Sequence, residues 1–403
     1  MNIIKRKIYY KFVDLQRASC YLEDKPLFSF ASKITKKLKS IEDDEFDDPY
    51  RLHLFDEEEL NLINEYFKKG SITLVDDCIA KLPTWLWLII KPEFLNLNEL
   101  RQIININNIR SKGDLCDYYE SNESEKQYGK EYSSLYSYFI TNQDGNNFPI
   151  EYRTFPDNKT VLIKNINGMA IKGNFHNHTL YSDGRCSMEE LKELARKTNR
   201  EYIGISDHSR YVGGVSSEHL IKQIQEIDVL NQKEGPEILK SLECEILKDG
   251  SLDMENAVLS QLDYVIVACH RDELMIKSEA TSRIIKAIEN DNSKILAHPF
   301  ARIYRKKAGL YLDIHKVIDA CVKNNVAIEI NGDPDRLDLA PEHIRYAVNR
   351  GALFTVDSDT HKEHSFKNIN NAIRIAEDYS IPTELVLNVK KMKELKIIFG
   401  KMK

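Results

Sequence analysis

From residue 172 onward the sequence repeats one rhythm, and that rhythm is compatible with few folds. Short β-rich runs at 202–206, 239–246, 264–270, 294–298, 326–331 and 353–357 alternate with helical stretches at 188–198, 217–232, 280–290, 314–324 and 341–349. A first strand at 172–178 completes about seven βα units. Parallel strands need long crossovers and helices supply them, so the rhythm predicts an α/β fold, a distorted (βα)7 TIM-like barrel over residues 171–403. In such a barrel chemistry gathers where the strands end.

The first of those strand ends reads Gly173-Asn174-Phe175-His176-Asn177-His178 and leads into Ser182-Asp183-Gly184. On a strand, Phe175 faces one way and His176 and His178 the other. Two imidazoles at i and i+2 can grip one metal, with Asp183 folding back as an oxygen ligand. A His-x-His pair alone is equally compatible with two core histidines satisfied by backbone bonds. The other strand ends shift the balance: Asp207 and His208, Glu243, His270, His298 before Pro299, Glu329 and Asn331, and Asp359 with His361. Imidazole and carboxylate repeated at nearly every strand end predict a site for Zn, Mn or Fe.

These motifs resemble the polymerase-and-histidinol-phosphatase (PHP) family of metal-dependent phosphoesterases, over essentially all of 172–399. The branch most similar is the PHP domain of bacterial X-family DNA polymerases, on Lys172-Gly173-Asn174-Phe175-His176-Asn177-His178, Leu247-Lys248-Asp249-Gly250-Ser251-Leu252-Asp253, and Ile328-Glu329-Ile330-Asn331 with Arg336-Leu337-Asp338-Leu339. The resemblance implies that His176, His178, Asp183, His208, Glu243, His270, His298, Asp359 and His361 are catalytic ligands of a trinuclear centre of divalent ions. Glu243 would bridge two of them, and Asp207 would orient His208 from behind. Clustered cations neutralise the charge of a phosphoester and activate water for hydrolysis. Cationic side chains near the mouth would hold the phosphoryl oxygens, with Arg302, Arg305 and Arg271 as the candidates. The run Arg305-Lys306-Lys307 also reads as a solvated loop, so substrate contact is favoured for Arg302 alone, and Asn331 would either bind substrate or seat a ligand.

The N-terminal third reads as helical. Leu15, Ala18 and Leu22 recur at helical spacing, as do Leu60, Ile63 and Phe67 before a stop at Gly70, and further helices are expected at 75–80, 97–104 and 112–118. Residues 1–120 resemble the DNA-end-binding domain and following helix-hairpin-helix of the same polymerases, on Ala18-Ser19-Cys20-Tyr21-Leu22-Glu23-Asp24-Lys25-Pro26-Leu27-Phe28 and Leu62-Ile63-Asn64-Glu65-Tyr66-Phe67-Lys68-Lys69-Gly70. A helix-hairpin-helix holds phosphate on backbone N–H groups opened by glycines and assisted by lysines. The hairpin positions here are Leu54-Phe55-Asp56 and Phe94-Leu95-Asn96, followed by Glu57, Glu58, Asn98 and Glu99. This small all-α domain is therefore expected to be degenerate in its grip on DNA and to serve as a structural module or to dock a protein partner.

Residues 121–170 are expected to be a linker: Ser121-Asn122-Glu123-Ser124-Glu125-Lys126 is polar, with short strands at 148–155 and 160–164. No polymerase palm fits in this interval, which excludes polymerisation. The acidic run 42–48 reads as a solvated loop, the tyrosines of 132–138 as a packed face, and Gly213-Gly214 as a loop over the site. Seven scattered cysteines without a CxxC pair point to reduced thiols and a cytoplasmic location. The apolar runs at 85–90 and 264–269 are too short to span a membrane, and the N-terminus lacks a signal-peptide pattern. A net charge of -6 gives no global attraction to nucleic acid. The resemblance and the attached relic domain favour hydrolysis at DNA ends, as a 3'-5' exonuclease or 3'-phosphatase. The acidic balance and missing hairpin glycines favour the alternative, a small-molecule phosphatase of histidinol-phosphate type.

Overall fold

The computed structural model describes residues 3–40, 54–90, 97–128, 133, 137, 140, 165–271, 275–303 and 309–401. The expected strands at 148–155 and 160–164, the acidic run 42–48, the hairpin position 94–96, nearly all of 132–138, and Arg305 lie outside these residues. The chain divides into two compact units, Met1–Gln143 and Asp144–Lys403.

The first unit is helical throughout its described residues: α1 (Ile3–Tyr21), α2 (Lys25–Ser40), α3 (Glu57–Lys69), α4 (Thr73–Ala80), α5 (Thr84–Ile90), α6 (Leu97–Ile106), α7 (Lys112–Tyr119) and α8 (Asn122–Tyr128). Ile8, Phe12 and Leu15 of α1 form the i, i+4, i+7 stripe that packs on Ala31, Ile34 and Leu38 of α2, with Ile63 and Val75 completing the core. The polar stretch expected to be a linker at 121–126 is instead mostly helix α8. Its amides are caught by Ser121, whose backbone oxygen accepts from Glu125 N–H and whose hydroxyl accepts from Ser124 N–H. A side-chain cap outweighed composition there.

Asp56 sits at the N-cap of α3 in a reciprocal capping box with Glu59, accepting from Glu59 N–H at 3.0 Å while Glu59 accepts from Asp56 N–H at 2.9 Å. The buried Glu59 carboxylate also meets Lys33 at 3.0 Å and Lys37 at 2.5 Å. Both lysines nearest this hairpin position are thus engaged by carboxylates.

The second unit opens with a hairpin, β1 (Asn165–Ile166) and β2 (Met169–Ala170), turned by Asn167 and Gly168 at positive φ. Then βα units follow: β3 (Gly173–Asn174), α9 (Met188–Lys197), β4 (Tyr202–Ile205), α10 (Ser217–Asn231), β5 (Glu237–Lys240), β6 (Glu243–Glu245), α11 (Asn256–Leu259), β7 (Val265–Ala268), α12 (Lys277–Ile288), β8 (Ser293–Leu296), α13 (Ile314–Asn324), β9 (Ala327–Asn331), α14 (Pro341–Asn349), β10 (Phe354–Asp357), α15 (Ile369–Asp378) and α16 (Met392–Ile398). All pairings among β3 to β10 are parallel, in a three-stranded order β3-β4-β5 and a five-stranded order β10-β9-β8-β7-β6. Strands are shorter than expected at both ends of 172–178 and across 239–246, which breaks into β5 and β6.

Two parallel bridges lie at the sheet edges, His208 with Glu243 and Asn177 with Thr360. They connect the end of β4 to β6 and the end of β3 to the end of β10. Most of these strands are buried at every position, so they are covered on both faces. Beneath the strand ends lies a plug of Phe175, Tyr202, Tyr264, Ile266, Ile295 and Phe399. Gly204 makes the plug feasible, because a Cβ there would stand 1.7 Å from the Tyr264 hydroxyl. That hydroxyl donates to the Phe175 carbonyl at 2.5 Å and so fixes the residue preceding His176.

Candidate metal centre

The strand ends carry six imidazoles and three carboxylates into one cup: His176, His178, His208, His270, His298, His361, Asp183, Glu243 and Asp359. They fall into overlapping groups whose donor atoms lie within 4.8 Å of one another: His178, Asp183, His208 and His361; His176, His178 and Glu243; His176, His298 and Asp359; His208, Glu243 and His270. Asp183 is 53% exposed and forms the open side, whereas Glu243 at 1% and Asp359 at 3% are at the bottom.

Glu243 stands at the centre. Its Oε1 lies 2.9 Å from His298 Nε2, 3.3 Å from His270 Nε2 and 3.4 Å from His176 Nε2. Its Oε2 lies 2.6 Å from His208 Nδ1 and 3.5 Å from His178 Nε2. Asp359 Oδ1 lies 3.2 Å from His178 Nε2 and 3.5 Å from His176 Nε2. His298 and Asp359 hold φ of 27° and 51°, a region that L side chains adopt at a cost, and both turn their side chains inward from it.

A further layer sets which ring nitrogen faces the cup. Glu329 Oε1 meets His176 Nδ1 at 2.6 Å, and its Oε2 accepts from His298 N–H at 2.9 Å. Glu245 Oε2 meets His270 Nδ1 at 2.7 Å. Both arrangements leave Nε2 toward the cup. There, His176 Nε2, His178 Nε2, His208 Nδ1, Glu243 Oε2 and Asp359 Oδ1 are buried without a hydrogen-bond partner. Buried polar atoms this close, unbonded and of these types, fit shared divalent cations.

The electrostatics agree. Burial would raise the Glu243 carboxyl, but His270, His208 and His176 outweigh it and hold it well below the usual range. Asp359 is held down in the same way, chiefly by His176 and His178. Burial and neighbouring imidazoles push His178 down to about 4, and burial with Arg336 does the same to His298. His178 and His298 are thereby neutral beside ionised carboxylates, whereas nearby carboxylates outweigh burial at His176, raised well above its ordinary value, and at His270 and His361, raised to about 9, so a cation binding there would displace their protons.

Outside the nine, the structure redistributes the expected roles. Asp207 does not brace the His208 ring: it accepts from Thr179 N–H at 2.7 Å, the Thr179 hydroxyl at 2.6 Å, the Ser182 hydroxyl at 2.5 Å and the Gln223 amide at 2.6 Å. It therefore clamps the loop that carries Asp183. Arg302 donates to the carbonyls of Arg336 and Leu337 at 3.1 and 2.6 Å, so its Nε and Nη2 brace a loop. Asn331 donates to Glu329 at 3.0 Å and to Asp359 Oδ2 at 3.3 Å, which seats a carboxylate of the cup. Arg271 is exposed on the rim.

Arg336 reaches the cup, with Nε 3.1 Å from Asp359 Oδ2. Sequence reasoning missed its place because a turn after β9 returns it over the strand end. Glu245 carried a usable signal, standing two residues from Glu243 on the same strand.

Parallel strands covered by helices, with a buried imidazole–carboxylate cup at their ends, define a class: the metal-binding α/β hydrolases. Over 229 residues the chain is 34% identical to the DNA polymerase/3'-5' exonuclease PolX of Bacillus subtilis, a match covering 56% of this chain and 40% of that protein. It is 33% identical over 227 residues to a probable phosphatase of Caldanaerobacter subterraneus, covering 53% of this chain and 85% of the relative. A probable phosphatase of Thermoanaerobacter pseudethanolicus is 31% identical over 237 residues, covering 54% and 91%. Histidinol phosphate phosphatase from Lactococcus lactis, solved with zinc, L-histidinol and phosphate, aligns with a TM-score of 0.39 at 14% identity, over 55% of this chain and 98% of that one. No family model matches the chain. The chain belongs to the PHP family of metal-dependent phosphoester hydrolases. No helix among the described residues is long and apolar enough to cross a membrane.

Proposed function

We propose that the chain hydrolyses phosphoesters at DNA ends, as a 3'-5' exonuclease or a 3'-phosphatase, with three divalent ions held by the nine cup residues. The observation that carries the hydrolytic reading is the divided Glu243 carboxylate, whose two oxygens face different sets of imidazoles. That arrangement suits a bridging ligand. The relation to PolX supports DNA as substrate, because the chain matches a polymerase that is also a 3'-5' exonuclease.

Divalent ions bound there supply phosphoryl charge neutralisation and an activated water. The protein's own part is positioning. Glu329 and Glu245 hold His176 and His270 in the tautomers that face inward. Arg336 fixes one oxygen of Asp359 and would offer its remaining N–H donors to the phosphoryl oxygens, while Arg271 stands at the rim. The bridges His208–Glu243 and Asn177–Thr360 support closure of the strands into a distorted (βα)7 barrel. The N-terminal unit is read as a degenerate helix-hairpin-helix-like module that docks a partner, since Asp56 occupies a hairpin position and Lys33 and Lys37 are paired with Glu59.

The second reading, a small-molecule phosphatase of histidinol-phosphate type, is supported by the relation to probable phosphatases, which the match covers over 85% and 91% of their length. Purified protein with Mn or Zn, given 3'-labelled single-stranded DNA and histidinol phosphate in parallel, separates the two. Nucleotide release that vanishes in Asp359→Ala is expected. Phosphate release from histidinol phosphate alone would replace the DNA-end reading with the second.

A further inference from the structure

Two loops that carry proposed ligands meet again above the cup. His208, after β4, and His270, after β7, contact edge to face with ring centroids 4.9 Å apart, and both approach Glu243. Farther along the same two loops, the Arg271 guanidinium lies over the Tyr211 ring at 5.6 Å from its centroid. The second pair therefore spans the same two loops as the first.

Both members of the upper pair are fixed relative to the ligands. The Tyr211 loop folds back on His208: Val215 N–H donates to the His208 carbonyl at 2.8 Å, and Gly214 packs so tightly that a Cβ would stand 1.7 Å from that oxygen. Tyr211 N–H is held by Asp253 at 2.5 Å. Arg271 N–H donates at 3.0 Å to Glu245, the carboxylate that also orients His270. Yet the side chains are not buried. Tyr211 is 43% exposed and Arg271 is exposed, an aromatic face and a guanidinium in contact on a rigid rim.

Resting on the DNA-end reading, we propose that Tyr211 and Arg271 form the seat for the nucleotide attached to the scissile phosphate, the base stacking on Tyr211 and the backbone phosphate meeting Arg271. An aromatic face accepts any nucleobase, and a guanidinium matches a phosphate with paired N–H donors. An isolated surface tyrosine needs no ligand; one braced by backbone bonds to a ligand histidine's loop and flanked by a cation has the two contacts that a nucleotide unit offers.

The test uses the full chain and two fluorescent single-stranded oligonucleotides, identical except that one ends in an abasic nucleotide. Binding to metal-stripped protein is read by anisotropy, and cleavage by the metal-loaded protein is read separately. Wild type binds the base-bearing end more tightly, and Tyr211→Ala weakens that binding by about 5- to 100-fold while leaving the abasic end unchanged. Tyr211→Phe recovers most of the loss, and Arg271→Gln weakens both ends alike. Equal loss on both oligonucleotides in Tyr211→Ala, or no loss on either, overturns the seat. Because binding is read without metal, a wild type that prefers the base-bearing end but cleaves no DNA would remove the reading of hydrolysis at DNA ends and leave the seat standing.

Discussion

Arg336 places Nε 3.1 Å from Asp359 Oδ2, so one oxygen of that carboxylate faces a buried cation while the other, Oδ1, faces His176 and His178. The two side chains are 14% and 3% exposed. Removing one partner leaves an uncompensated charge in a place where water reaches poorly. Arg336→Gln is expected to destabilise the metal-free protein by about 3–5 kcal/mol, as for other broken buried pairs. Bound Zn or Mn should restore part of the loss by supplying positive charge. Urea unfolding with chelator and with metal checks both; a metal-free variant unfolding at the wild-type midpoint would show that the pair carries no stability.

The cup should also make metal binding depend on pH. Burial works against charge on His270 and His361, but Glu243 and Glu245 at the first, and Asp183 and Asp359 at the second, outweigh it and raise each ring to about 9. An unfolded imidazole titrates near ~6.5. Stability from these pairs in the metal-free chain is therefore complete below about 6.5 and is lost as pH rises through about 9. Glu243 and Asp359, held down, act in the opposite sense: their contribution is present above the unfolded carboxylate range and is lost as pH falls. Since a cation must displace the ring protons, including that of His176, which Asp359, Glu329 and Glu243 raise well above its ordinary value against burial, affinity should rise with pH toward about 9, and binding near neutrality should release about three protons. Calorimetry in buffers of different ionisation enthalpy counts them, and a count of zero contradicts this assignment.

Asp207 offers a way to disturb one end of the cup alone. Four donors converge on it, three of them from the Thr179–Ser182 loop that positions Asp183. An amide in its place offers fewer acceptor lone pairs and turns an N–H₂ toward a donor. Asp207→Asn should therefore loosen Asp183 and lower the metal content by about one ion per chain under the proposed trinuclear occupancy, sparing ions held by Glu243 and Asp359. Elemental analysis after dialysis reports this directly. Full retention of metal would mean that the clamp does not govern that ligand.

Much of the second unit was readable because its signals are local. Apart from β5, each of the strands β3 to β10 carries a site His, Asp or Glu within it or two residues beyond its end, and α13 and α14 begin and end where their periodicity does, at Ile314–Asn324 and Pro341–Asn349. What was not readable is long-range. The Arg336–Asp359 pair, the Asp207 clamp on Thr179 and Ser182, and the diversion of Arg302 to the Arg336 carbonyl all join residues more than twenty positions apart through loops. No periodicity records where a loop returns. At α8 the failure was of another kind: polar composition said linker, while Ser121 capped a helix.

The plug beneath the cup allows fold and site to be tested separately. The Tyr264 hydroxyl, itself buried, donates to the Phe175 carbonyl, and Gly204 leaves room for it. Tyr264→Phe keeps the ring packing on Phe175 and Phe399, at centroid distances of 5.4 and 5.2 Å, but leaves that carbonyl without its donor. The expected cost is about 1–3 kcal/mol, the penalty for an unsatisfied buried acceptor. Because Phe175 only precedes His176, and Glu329 holds the His176 ring from another strand, metal content should stay at the wild-type level while the thermal midpoint falls by several degrees. Loss of metal in step with stability would mean that the plug, and not the Glu329 contact, sets the orientation of His176.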